Sequence, residues 1–225
     1  MAIIKHADQR VGVFIDAQNL YHSARHLHDD ARVNFANILR DAVAGRKLIR
    51  AMAYVISTKT GEESSFFDAL GKIGIETRSK DLQEFWGGAK KADWDVGLAV
   101  DAITMAPKLD AVILISGDGD FEPLVKYLQI NMGTQVEVIA FGKATSSKLR
   151  EVADDFFDLS GDPASYLIGY KDHKDFKDFK KPKVFQKDFK EKQSGARSGN
   201  TPGKSLNNKP EGPARNTRTR RAVSL

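Results

Sequence analysis

The chain has 225 residues, 41% of them hydrophobic, with no cysteine and a net charge of +5. That composition suits one buried domain with an appendage, and it excludes a disulfide framework and a thiolate zinc site. No apolar run approaches the roughly 18 residues a membrane span needs, and the opening "MAIIKHADQR" lacks the apolar centre of a secretion signal, so a cytoplasmic protein without a membrane partner is expected.

In chain order, residues 1–9 read as a flexible N-terminus. "VGVFIDA" (Val11–Ala17) reads as the first strand, and a helix begins near Leu20. Asn34 is placed to cap a helix bearing Phe35, Ile38, Leu39 and Val43, with Gly45 as its stop. "LIRAMAYVIS" (Leu48–Ser57) predicts a second strand, Glu62 to about Ile73 a helix, and "IETRS" (Ile75–Ser79) a short third strand. "KDLQEFWGGAKKAD" is too polar and glycine-rich for core and reads as a loop. "WDVGLAVDAITMA" (Trp94–Ala106) has helical spacing, "AVILIS" is a buried strand, and "FEPLVKYLQINMG" is a helix with Pro123 in its first turn and Gly133 as its C-cap. "QVEVIAF" (Gln135–Phe141) is a further strand, and "SSKLREVAD" and "FFDL" close the domain as a short helix and a last strand. Strands alternating with helices predict an α/β fold, with a mainly parallel sheet of about five or six strands covered on both faces.

The periodicity ends near residue 163. Residues 10–163 are therefore read as the domain and residues 164–225 as a basic, low-complexity tail, disordered by composition. The charges divide at the same point: residues 1–163 carry 19 Lys and Arg against 24 Asp and Glu, and residues 164–225 carry 16 against 6. The tail repeats "KDFK" from Lys174, Lys177 and Lys187, and its Phe176, Phe179, Phe185 and Phe189 alternate with lysines. That pattern suits single-stranded nucleic acid through charge and stacking, and equally a solubilising appendage.

The chemistry concentrates in "LISGDGDFEPL", where Asp118 and Asp120 flank Gly119 directly behind the apolar strand. Two carboxylates about 5 Å apart repel by roughly 3 kcal/mol at an effective dielectric of about 20, so the turn calls for a counter-ion. Gly119 is expected to turn the backbone tightly enough for both carboxylates to face one edge. In a parallel α/β sheet, functional groups collect beyond the carboxyl ends of the strands. Asp16 closes the first strand there, with Asn19 three residues on, and it meets Asp118 and Asp120 if the two strands are neighbours. Asp93 and Asp95 stand at a helix start. Asp101, six residues and about 600° of rotation beyond Asp95, cannot share its face and reads as a solvated or ion-paired residue. Such an aspartate set without cysteine is a hard, all-oxygen site suited to Mg²⁺ or Mn²⁺.

Each of these residues also has a plain structural reading. Asp-Gly pairs are common in turns, Asn19 is a natural helix cap, and Ser116 is placed to satisfy a backbone group at the strand end. His22 and His26, four apart on a helix, read as an exposed polar face, since no carboxylate completes a metal pair. Trp94 and Phe85 flank the loop, where they either pack it down or stack a base, and Lys90 and Lys91 suit a phosphate.

"VFIDAQNLY", "KADWDVGLAVD" and "ILISGDGDFEPLVKYLQINMGTQVEVIAF" together resemble, in order and spacing, the NYN domain, specifically its LabA/DUF88 branch, over about residues 10–160. The resemblance implies a PIN-like, Rossmann-like three-layer sandwich. It also implies a metal-dependent ribonuclease site, with Asp16, Asp95, Asp118 and Asp120 at the acidic positions and Asn19 and Ser116 as neighbouring polar contacts. The expected function is hydrolysis of RNA phosphodiesters through a Mg²⁺- or Mn²⁺-activated water, the basic tail helping to capture the RNA. A non-catalytic RNA- or protein-binding module on the same fold is the alternative. A homo-oligomer is compatible with either.

Overall fold

The structure, a computed structural model, describes residues 3–29, 31–57, 64–81, 83–84, 90–91 and 94–170. The chain divides into two units, residues 1–178 and 179–225, and every described residue belongs to the first. The elements run β1 (Arg10–Asp16), α1 (Ala17–Leu27), β2 (Arg32–Val33), α2 (Phe35–Val43), β3 (Lys47–Ser57), α3 (Ser64–Lys72) and β4 (Glu76–Asp81). They continue with β5 (Gln83–Glu84), β6 (Lys90–Lys91), α4 (Asp95–Met105), β7 (Ala111–Ile115), α5 (Glu122–Met132), β8 (Gln135–Ala140), α6 (Ser147–Val152), β9 (Asp155–Asp158), α7 (Pro163–Tyr166) and β10 (Leu167–Ile168).

Six strands form one sheet in the order β4-β3-β1-β7-β8-β9, and every pairing in it is parallel. The α/β three-layer architecture follows from period-two side-chain alternation on strands that are buried on both faces. On β1, Val11, Val13 and Ile15 point to the α1–α3 side, where they meet Leu20, Ile38 and Leu70, while Phe14 points to the α4–α6 side with Leu98, Val125 and Leu149. β7 divides likewise, with Ile113 and Ile115 on one face and Val112 and Leu114 on the other.

The helix signals act as their chemistry requires. The Asn34 side chain accepts from the Asn37 backbone N–H and caps α2. Gly133, with φ of 63°, ends α5 in the left-handed conformation that costs glycine least.

Three features depart from the sequence reading. The segment expected to be a loop holds a two-residue antiparallel pair, Gln83 opposite Lys91 and Glu84 opposite Lys90, too short to leave any periodicity in the sequence. Elements continue past residue 163, because Tyr166 and Leu167 are buried and β10 pairs with β2, an interaction 134 residues long-range that no local pattern announces. The N-terminal segment is anchored as well, since Lys5 Nζ lies 2.8 Å from Glu137 Oε2 and 3.0 Å from Asp155 Oδ2. Among the described residues, no helix is long and apolar enough to cross a membrane.

Candidate active site

β1 and β7 are direct parallel neighbours, with Val11 opposite Ala111 and Ile15 opposite Ile115. Their carboxyl ends therefore deliver Asp16 and the segment Ser116-Gly117-Asp118 to the same edge of the sheet. Asp16 caps α1, its Oδ1 accepting from the Asn19 backbone N–H at 3.0 Å. Ser116 is fully buried; its Oγ donates to Asp16 Oδ2 at 3.1 Å and accepts from the Asp118 backbone N–H at 3.2 Å. The Gly117 N–H donates to Asn19 Oδ1 at 2.9 Å, so the two strand ends are joined twice through side chains. Asn19 thus crosslinks the strand ends instead of capping a helix with its side chain.

Asp118 caps a short 3₁₀ turn, Gly119–Phe121, and its Oδ1 accepts from the Asp120 N–H at 3.0 Å. Gly119 does not occupy the left-handed region. Its lack of a side chain lets Ser146 pack close, since a Cβ there would come within 2.8 Å of Ser146 Oγ.

A cavity of about 300 Å³ opens at this edge, lined by Asp16, Asn19, Asp95 and Asp118 together with Gln18, His22, Ser23, Tyr54 and Trp94. Three of the four expected acids are therefore gathered around one space. Asp120 does not line it and is exposed. The reason is local: Asp118 is the extended cap before the 3₁₀ turn, whereas Asp120 lies within the turn, so the two carboxylates do not share one direction. Asp101 is also elsewhere, accepting from the Tyr54 hydroxyl at 2.9 Å with Arg78 Nε at 3.7 Å. Asp93, Phe85 and the side chains of Lys90 and Lys91 lie outside the described residues, as do residues 171–225. Among the described residues, no group of three or more His, Asp or Glu side chains forms a ready-made metal cluster.

The electrostatics of Asp16 are set by burial and by its neighbour Asp118. Burial pushes the Asp16 carboxyl above its ordinary range, and the nearby Asp118 charge adds to the effect, against the hydrogen bonds from Asn19 and Ser116. Among the described residues, neither Asp16 nor Asp118 takes part in a salt bridge with a protein cation. The Tyr54 phenol is raised by burial and by Asp101, which keeps it a neutral donor at the cavity wall. Trp94 packs edge-on to Tyr54 at 5.6 Å and donates from Nε1 to the Val55 carbonyl at 2.9 Å, so it walls the cavity as a fixed side chain. The cavity residues with no forewarning were Tyr54, inside a buried strand, and Gln18 and Ser23. Gln18 falls within the quoted "VFIDAQNLY" stretch, which was the one signal available for it.

Comparison with known proteins agrees with this arrangement. The model of the NYN domain matches residues 10–160. The chain is 28% identical over 162 residues to the low amplitude and bright protein LabA of Synechococcus elongatus, covering 67% of this chain and 84% of that protein. It is also similar to the crystal structure of a protein of unknown function from Vibrio parahaemolyticus, with a TM-score of 0.66 and 30% identity over 74% of this chain and all of that one. With the strand order, the joined ends of β1 and β7 and the aspartates between them, these matches establish that the chain belongs to the NYN domain family, a PIN-like nuclease family, as a LabA-like member.

Proposed function

We propose that this protein is a metal-dependent ribonuclease that hydrolyses phosphodiester bonds of single-stranded RNA in the aspartate cavity. The observation that carries the reading is the meeting of Asp16, Asp95 and Asp118 at the carboxyl ends of β1 and β7, with no protein cation paired to Asp16 or Asp118 among the described residues. The donor set fits a hard divalent ion. Mg²⁺ is held through one or two carboxylates, waters and substrate phosphates, so Asp16 and Asp118 suffice as anchors, with Asp95 on the cavity wall. The bound ion would neutralise phosphodiester oxygens and lower the pKa of a water for attack.

The chain's own residues prepare that site. Asn19 and Ser116 hold the Asp16 carboxylate in one orientation, and the Ser116 hydroxyl ties it to the Asp118 backbone. The N-terminus of α1, capped by the cavity residue Asp16, favours negative charge there. The acidic body would repel a polyanion at long range, and the basic residues 164–225 offset this by drawing RNA in.

A second reading, RNA binding without turnover, draws on the fact that both Asp16 oxygens are already engaged by Asn19 and Ser116. Incubating the full chain with a mixture of unstructured RNAs and Mg²⁺ or Mn²⁺ separates the two. The nuclease reading expects cleavage that EDTA abolishes and that Asp118→Asn reduces by at least about 100-fold with the fold intact. Retention of intact RNA by wild type and variant alike would instead establish the binding module.

A further inference from the structure

A second and larger cavity, about 960 Å³, lies beside the aspartate cavity and shares Gln18 and His22 with it. These two residues stand four apart on α1 and so occupy one face of the helix, with Tyr21 next to them at the same edge. One strip of α1 therefore runs from the aspartates into the second cavity. The floor there is apolar and partly aromatic: Tyr21 from α1, Phe35 from the start of α2, Ile56 from the end of β3, and Phe66 and Leu70 from α3. Phe35 and Phe66 stand 5.5 Å apart in a tilted pair, both only partly buried, and Tyr21 is 45% exposed. Arginine, imidazole and amide groups edge this floor. Arg32 and His22 line the cavity, the Arg25 guanidinium lies 5.5 Å from the Tyr21 ring centre, and Asn34 and Gln18 supply side-chain amides.

We propose that this second cavity receives the unpaired nucleobases that flank the scissile phosphate, seating them on Tyr21, Phe35 and Phe66 while Arg32 and His22 accompany the backbone. The inference rests on the nuclease reading of the aspartate cavity. Three features select this occupant. The cavity shares the wall residues Gln18 and His22 with the site where the phosphodiester would lie, so the neighbouring nucleotide of a bound strand is the group that reaches it. Its aromatic faces suit any base, since every base offers a π-surface for stacking. Its arginine and amides answer phosphates and base edges, for which a purely aliphatic ligand has no use. The volume is at the upper end of the roughly 300–1,000 Å³ typical of ligand cavities. A paired base keeps its faces stacked within the duplex and cannot enter, so the cavity gives a physical reason for preferring single strands.

The test is equilibrium binding of the full chain, with Ca²⁺ in place of Mg²⁺ and the oligomers checked to be intact after each measurement, to two labelled RNA oligomers of equal length and charge. One carries all its bases and the other has abasic sites at two adjacent central positions. The basic segment contributes equally to both, so the ratio of the two affinities reports base seating alone. Wild type is expected to bind the complete oligomer about 5- to 100-fold more tightly, and Tyr21→Ala to bring the ratio towards one without weakening the abasic oligomer. Tyr21 is exposed, so this variant folds; Phe66→Ala, checked by its thermal unfolding, gives an independent reading. Equal affinities in wild type, or an unchanged ratio in both variants, overturn the inference, the second result by placing the base contacts elsewhere on the chain. Because cleavage plays no part, base seating without turnover would refute the nuclease reading alone. Cleavage with a ratio of one would refute this inference alone.

Discussion

The two ends of the sheet treat their acidic residues in opposite ways. At the amino ends, acids are matched with cations: Arg10 with Asp110 across β1 and the start of β7, Arg50 with Glu76 across β3 and β4, and Lys5 with Asp155. Glu137, buried on β8, is held by the two terminal guanidinium nitrogens of Arg46 and by Lys5. At the carboxyl ends, Asp16 and Asp118 stand near one another with hydrogen bonds but no salt bridge among the described residues. The pKa directions record the difference: Arg10 holds the Asp110 carboxyl down at about 2, while burial and Asp118 push Asp16 up. The acids at the amino end are settled by ion pairs, whereas Asp16 and Asp118 are held by hydrogen bonds alone among the described residues, an arrangement that a divalent ion is suited to meet.

The contrast can be broken most forcefully at the amino end. Arg46→Ala leaves Glu137 as a buried charge with its closest partner removed and is expected to cost about 3–5 kcal/mol in a urea unfolding experiment. A loss under about 1 kcal/mol would mean that Lys5 alone compensates Glu137. At the carboxyl end, Ser116→Ala removes the hydroxyl that links Asp16 to the Asp118 backbone. RNA cleavage should fall about 10- to 100-fold while stability drops by only about 1 kcal/mol. An unchanged rate would show that Ser116 only satisfies a backbone group.

Asp16→Asn sharpens the comparison by reversing the usual sign. Because the folded carboxyl is raised, its protonated form is favoured, and the associated stability is present at low pH and lost as pH rises through the raised value. Asparagine keeps the capping oxygen without the charge, so at neutral pH and without metal the variant should melt higher than wild type, by about 2–4 °C for each kcal/mol relieved. A lower melting temperature would place Asp16 among the compensated residues. The smallest effect belongs to the exposed Arg10–Asp110 pair. Asp110 is lowered, so its contribution is present above the ordinary aspartate value and is lost as pH falls through about 2. An acid titration of Asp110→Asn beside wild type should show the two stabilities converging over that range, and a constant difference would contradict it.

The carboxyl-end side of this contrast was legible in the sequence, whereas the amino-end ion pairs, which join distant residues, were not. The apolar run Ala111–Ile115, the strand ending at Asp16, the Asn34 cap and the Pro123 and Gly133 signals each rest on local chemistry, so they are visible without a fold. The pairing of Asp16 with Asp118 required only that β1 and β7 be neighbours. What stayed hidden depended on direction or on distant partners. Spacing alone made Asp120 look equivalent to Asp118, and only the 3₁₀ turn separates them. What Gly119 makes room for is Ser146, twenty-seven residues away, and the pairing of β10 with β2 joins segments still farther apart. Tyr54 lay within the buried stretch Ala51–Val55 of β3, where nothing distinguishes a cavity wall from core.

The most direct measurement is the thermal unfolding of wild type and Asp118→Asn at neutral pH, each with EDTA and with Mg²⁺. Ion binding to the folded state should stabilise wild type by about 2.7 kcal/mol at a hundredfold excess over Kd. Asp118→Asn should show little or none of that gain. Equal stabilisation of the two proteins, or none in wild type across millimolar Mg²⁺ and Mn²⁺, would contradict a metal site between Asp16 and Asp118.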